Sequence, residues 1–93
     1  MTFEWDTRKA KANVAKHGVP FEEASEAVED PLAIEIYDVE HSTATEDRYR
    51  LIGMSGKGRL ILVIFARRDE TVRIISARKA TNGEAQAYTE VRG

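Results

Sequence analysis

Leu60-Ile61-Leu62-Val63-Ile64-Phe65 carries no polar side chain at any position. A strand with one wet face alternates, whereas a short unbroken apolar run is buried on both faces and belongs at the centre of a sheet. Turn residues stand on either side of it, Gly56-Lys57-Gly58 before and Arg68-Asp69-Glu70 after. The spacing therefore predicts three tightly joined antiparallel strands, over residues 48–55, 59–67 and 71–77.

Working outward, residues 32–37 alternate Leu32, Ile34 and Ile36 with polar Glu35 and read as a fourth strand. The polar, turn-rich stretch 38–46 follows it and contains His41. Upstream, residues 2–5 form a short strand, and Asp6 or Thr7 can cap a helix over 8–17 that stops at Gly18. That helix puts Ala10, Val14 and His17 on one face. A second helix over 21–28 turns Phe21, Ala24 and Val28 inward, and Asp30-Pro31 ends it, because a residue before proline is pushed out of the helical region. A last helix over 83–91 can be capped by Thr81 or Asn82. The expected order is β-α-α-β-β-β-β-α, an α+β fold with a mainly antiparallel sheet, in one domain spanning 1–93.

The 93 residues contain no cysteine, which excludes a disulfide scaffold, a thiolate zinc site and a cysteine nucleophile. No apolar run reaches membrane-spanning length and residues 1–20 hold no signal-peptide core, so a cytoplasmic chain with no membrane partner is expected. The net charge of −2 hides a division. Residues 1–46 carry four basic and eleven acidic side chains, and residues 47–93 carry ten basic and five acidic ones. Binding responds to local potential, so the basic half is a candidate anion-binding surface.

Strand parity locates that charge. With two central residues in each turn, Arg50 lies opposite Phe65 and Phe65 opposite Ile74. One face then collects Arg48, Arg50, Ile52 and Met54 with Ile61, Val63, Phe65 and Arg67, and with Val72, Ile74, Ser76 and Arg78. Arg73 falls on the other face. A three-residue loop at Gly56-Lys57-Gly58 would slip the register by one and exchange the faces of one strand. Strand arginines suit phosphate oxygens, but they also pair with carboxylates such as Glu4, Glu35 or Asp47.

His17 and His41 have no metal-ligand spacing, and no metal or cofactor site is expected. Either imidazole suits acid–base work, with His17 more in keeping with packing beside the helix-ending glycine. The glycines form no phosphate loop.

Phe3-Glu4-Trp5-Asp6, Lys16-His17-Gly18-Val19, Phe21-Glu22-Glu23-Ala24 and Asp30-Pro31 resemble the opening of the BrnT toxins. Glu46-Asp47-Arg48, Ile52-Gly53, Gly58-Arg59, Arg73-Ile74-Ile75-Ser76-Ala77-Arg78, Glu84 and Tyr88 are similar to that family's second half. The resemblance implies a RelE-like ribonuclease of a type II toxin–antitoxin system that arrests translation. It also implies a BrnA-type antitoxin partner, whose ribbon-helix-helix domain would supply the only contact with DNA as the complex represses its operon.

Metal-independent RNA cleavage needs a base for the 2′-hydroxyl, a cation for the charged phosphorane and an acid for the departing 5′-oxygen. Arg48 and Arg78 are the expected phosphate-facing residues, with Lys57, Arg59, Arg67 and Arg73 holding the RNA strand. Glu46 is the candidate base, or else simply an ion-pair partner of Arg48, and His41 or Tyr88 the candidate acid. Two other readings stay open. One is a non-catalytic module binding RNA or protein through the arginine-rich sheet face. The other is a structural subunit pairing through strand 60–65.

Overall fold

The apolar run forms the middle strand, Leu60–Arg68 (β4), of a five-stranded sheet in the computed structural model, which describes residues 1–92. Asp47–Met54 (β3) and Thr71–Lys79 (β5) flank it antiparallel, so both its edges are occupied and it cannot pair with another chain. Ile34–Tyr37 (β2) adds antiparallel to β3 at one border, and Thr2–Glu4 (β1) runs parallel to β5 at the other. The sheet is therefore mixed, in the order β1-β5-β4-β3-β2. Three helices complete the α+β fold: Thr7–His17 (α1), Phe21–Val28 (α2) and Asn82–Arg92 (α3).

Local chemistry sets the element ends. The Asp6 carboxylate accepts the N–H groups of Arg8 and Lys9 at 2.8 and 3.1 Å, and Gly18 closes α1 at φ 71°, a left-handed conformation that a Cβ disfavours. Thr81 and Glu84 form a capping box at the start of α3: the Glu84 N–H donates to Thr81 Oγ1 at 3.2 Å, and the Thr81 N–H donates to Glu84 Oε1 at 2.9 Å. Asp30 does more than end α2. Its carboxylate accepts from the Leu32 N–H, the Met54 N–H and the Tyr88 hydroxyl. Leu32 is thereby held in a turn, and β2 begins at Ile34.

Helices α1 and α2 cover one face of the sheet. Val19, Phe21, Ala24 and Ala27 pack there against Leu51, Ile61, Val63, Phe65, Val72, Ile74 and Ala77, all buried. Helix α2 approaches β3 so closely that a Cβ on Gly53 would overlap the Ala27 carbonyl. The inward side of α1 differs from the expected Ala10, Val14 and His17 stripe: Val14 is exposed, and Asn13 is buried instead. The reason is the free edge of β5. The Asn13 amide donates to Ala77 O at 2.8 Å and to Val19 O at 2.9 Å, and its oxygen accepts the Ala77 N–H at 3.2 Å. One side chain thus does for that edge what a neighbouring strand would do.

The register also differs from the one the two-residue turns predict. Gly56-Lys57-Gly58 is a three-residue loop with Gly58 at φ 75°, bracketed by the Ser55 N–H donating to Arg59 O. Arg50 consequently pairs with Ile64, and Tyr49 with Phe65. Phe65 does lie opposite Ile74, but Ile64 pairs with Ser76, so Ile75 is an extra residue in a β-bulge. The slip puts Arg73 on the same face as Arg48 and Arg50 and takes Arg67 off it, and the bulge keeps Arg78 on that face.

Candidate active site

Residues paired across a sheet share a face, and the pairs define three rows on the face opposite α1 and α2. They are Arg48–Ala66–Arg73, Arg50–Ile64–Ser76 and Ile52–Leu62–Arg78. Helix α3 covers only the Ile52–Leu62 end, where Tyr88 packs. The middle of the face opens into a groove of about 380 Å3 lined by His17, Asp38, His41, Arg50, Leu62, Ile64, Ser76 and Arg78.

The two imidazoles reach the groove from different elements. Asn13 locks α1 along β5, and His17, the last residue of α1, is thereby delivered to the rim. His41 comes from the loop between β2 and β3. Its ring Nδ1 lies 2.8 Å from Asp38 Oδ2, and its backbone N–H donates to Asp38 Oδ1 at 3.2 Å. Ser42 stitches the loop down, donating to Asp38 O at 2.6 Å and accepting the Arg48 N–H at 2.9 Å. Partial burial pushes the Asp38 carboxyl up, but hydrogen bonds from the His41 ring and backbone outweigh it and hold the group below its ordinary range. Asp38 is ionised at neutral pH and fixes the ring of His41.

The arginines are organised by Glu84. Its carboxylate accepts a bidentate pair from Arg78 at 2.9 and 3.0 Å and lies 3.9 Å from Arg50 Nη2. The Arg78 hydrogen bonds, against burial, hold Glu84 below the usual carboxylate range. Arg50 keeps 48% of its side-chain surface exposed and is the more available cation. Beyond Arg48 the face continues into a second depression of about 190 Å3, lined by Glu4, Glu46, Ala66, Arg67, Arg68, Thr71 and Arg73. Arg48 Nε is buried without a hydrogen-bond partner.

A histidine pair, an ionised carboxylate and arginines along an open sheet face form a set for acid–base chemistry on a phosphate ester. The model of a family described as "Ribonuclease toxin, BrnT, of type II toxin-antitoxin system" matches residues 5–84. The chain belongs to that family. Among solved structures, it is similar to the 1.1 Å crystal structure of the ribonuclease toxin BrnT of Brucella abortus, with 27% identity over 88% of this chain and 99% of that one and a TM-score of 0.65. A comparison with functionally curated proteins returned no match.

Within this BrnT-family chain, the residues expected from the sequence to act together are divided. Arg78 and His41 line the groove, and Arg48 and Arg73 belong to the same face. Glu46 lines the second depression and meets Arg48 loosely, at 3.5 Å. Tyr88 is buried and its hydroxyl donates to Asp30 at 2.6 Å, so it does not line the groove. Lys57 sits in the exposed loop after β3. Arg59 pairs with buried Glu23 beside α2, through its Nε at 2.8 Å and an Nη2 contact to the other oxygen. Arg67 reaches the second depression's rim but is held by Glu35 at 3.0 Å and lies over Tyr49 and Phe65. Three charged or imidazole groove residues are absent from the expected set, Arg50, Asp38 and His17. The signal for His17 was its place in Lys16-His17-Gly18-Val19, where packing was the favoured reading; nothing local marked Arg50 above other arginines.

Proposed function

We propose that the chain is a RelE-like, metal-independent endoribonuclease toxin working as one domain over residues 1–93, and that the groove is its active site. The observation that carries this reading is the groove itself, with His17 and an Asp38-held His41 lining it beside Arg50 and Arg78. With Nδ1 committed to Asp38, the Nε2 of His41 is the nitrogen left to take the 2′-hydroxyl proton. The 2′-oxygen attacks phosphorus, the P–O5′ bond breaks, and His17 delivers a proton to the leaving 5′-oxygen. Arg50 and Arg78 stabilise the phosphorane charge, and Arg48 and Arg73 hold the adjoining backbone. The products are a 2′,3′-cyclic phosphate and a 5′-hydroxyl. Glu46, the base expected from sequence, is then a rim residue whose carboxylate steadies Arg48.

In the cell this activity arrests translation and growth in the cytoplasm. Among the described residues no helix is long and apolar enough to cross a membrane. A BrnA-type antitoxin neutralises the toxin, and the complex regulates its own operon, touching DNA only through the antitoxin. The test is single-turnover cleavage of an RNA oligonucleotide in EDTA with analysis of product ends. Cyclic-phosphate ends that vanish with His41→Gln support the reading. Binding that weakens steeply with salt, without cleavage, would favour the non-catalytic module.

A further inference from the structure

Four of the seven exposed large apolar side chains among the described residues fall between positions 32 and 39: Leu32, Ile36, Tyr37 and Val39. They lie on and beside β2, the border strand of the sheet. Because the Asp38 N–H donates to Arg48 O across to β3, the alternation of a strand turns the N–H groups of Tyr37 and Glu35 outward. An unprotected sheet edge with apolar neighbours is a template for another strand. On the other side of the sheet, β5 is covered by β1 over Thr71–Arg73 and by Asn13 at Ala77, and the border strand there, β1, is only three residues long.

Charge decides what can pair there. No lysine or arginine occurs between Lys16 and Arg48, and that stretch holds ten acidic residues. Glu29 and Glu40 are exposed before and after the strand in the chain, and Glu35 within it is exposed but engaged by Arg67. Nucleic acid is repelled by such a surround. A second copy of the chain would bring the same acids against themselves. A basic, apolar-alternating polypeptide is complementary in both respects.

We propose that the outer edge of β2 is the docking site for the antitoxin, which adds a basic extended segment as a sixth strand. The assignment rests on the reading of this chain as a toxin with a protein antitoxin. It also gives that partner a position next to the groove, since Ile36 pairs with Arg50 and the loop leaving β2 carries Asp38 and His41.

The probe is the antitoxin encoded in the same operon, mixed with the full chain, with residue-resolved amide exchange and affinity read together. RNA cleavage without antitoxin is measured in parallel. The expected result is slowed exchange at Glu35 and Tyr37, with affinity reduced at least about tenfold by Ile36→Lys, and reduced by Glu40→Lys with a shallower salt dependence. Protection over Arg48–Arg50 and Arg73–Arg78 with unchanged affinity in Ile36→Lys overturns the proposal and leaves the toxin reading intact. Protection of β2 that rises with the concentration of the chain alone overturns it in favour of self-association. Absence of binding overturns it too, and the parallel cleavage assay then shows separately whether the ribonuclease reading survives.

Discussion

Asp38 touches no reacting atom in the proposed mechanism, yet it sets the ring of His41 through two hydrogen bonds. Asp38→Asn keeps the shape and loses the charge, so the cleavage rate should fall by about 10²-fold with little change in KM. An equal loss in kcat/KM caused by KM alone would assign Asp38 to RNA binding. Glu84 works in the opposite sense, since it aligns Arg78 and Arg50 and also offsets their charge. Glu84→Gln is expected to tighten RNA binding while slowing cleavage, measured by titration and single-turnover kinetics on the same oligonucleotide. Residue types and spacing made the arginine enrichment of the strands legible in the sequence, along with His41 as a polar-loop imidazole. They could not show Glu84 as the organiser, because its partners Arg50 and Arg78 belong to different strands and meet it only through the register.

At the scale of elements, the caps were readable because they are local: Asp6, Gly18 and Thr81 act on residues within four positions of themselves. Register was not, because one loop residue at Gly56-Lys57-Gly58 reverses a whole strand. Arg48, Arg50 and Arg78 share a face in both readings only because the loop slip and the Ile75 bulge offset each other. Arg67 and Arg73, with one displacement each to absorb, changed sides. The burial of Asn13 was hidden for a different reason. A polar residue on the inward side of a helix makes sense only once β5 presents an unpaired edge to it. Asn13→Ala should cost about 2–3 kcal/mol in urea unfolding, and it should slow cleavage as well, since α1 carries His17. Gly53→Ala must displace α2 and is expected to lose about 1–3 kcal/mol or more, with no repair from flexible side chains because the clash is with backbone.

For the molecule as a whole, the acidic first half and basic second half are joined by ion pairs, and both contribute to the groove. Glu23, 3% exposed, is tied to Arg59 and Ser55 and joins α2 to the β3–β4 loop. The Arg59 hydrogen bonds, opposed by burial, hold its carboxyl below the ordinary glutamate range. A carboxylate depressed in the folded state stabilises above its unfolded value, and that contribution is lost as pH falls through the folded one. Melting temperature should therefore drop as pH falls from about 5 toward 3, and the drop should be smaller in Glu23→Gln, which starts from a lower value at neutral pH. In the proposed function the arginines of the open face meet the RNA backbone, so RNA affinity should fall with log salt at a slope of about −0.7 per phosphate engaged.

The claim on which the rest depends is that the open sheet face, rather than basic charge in general, cuts RNA. Arg50→Ala and Lys57→Ala remove one exposed cation each, one from the groove and one from the distant β3–β4 loop. The decisive measurement is single-turnover RNA cleavage by both variants beside the unaltered chain, at matched folded concentration. The account predicts a loss of about 10²-fold or more for Arg50→Ala and a change within about twofold for Lys57→Ala. Equal losses, or a larger one for Lys57→Ala, would contradict it.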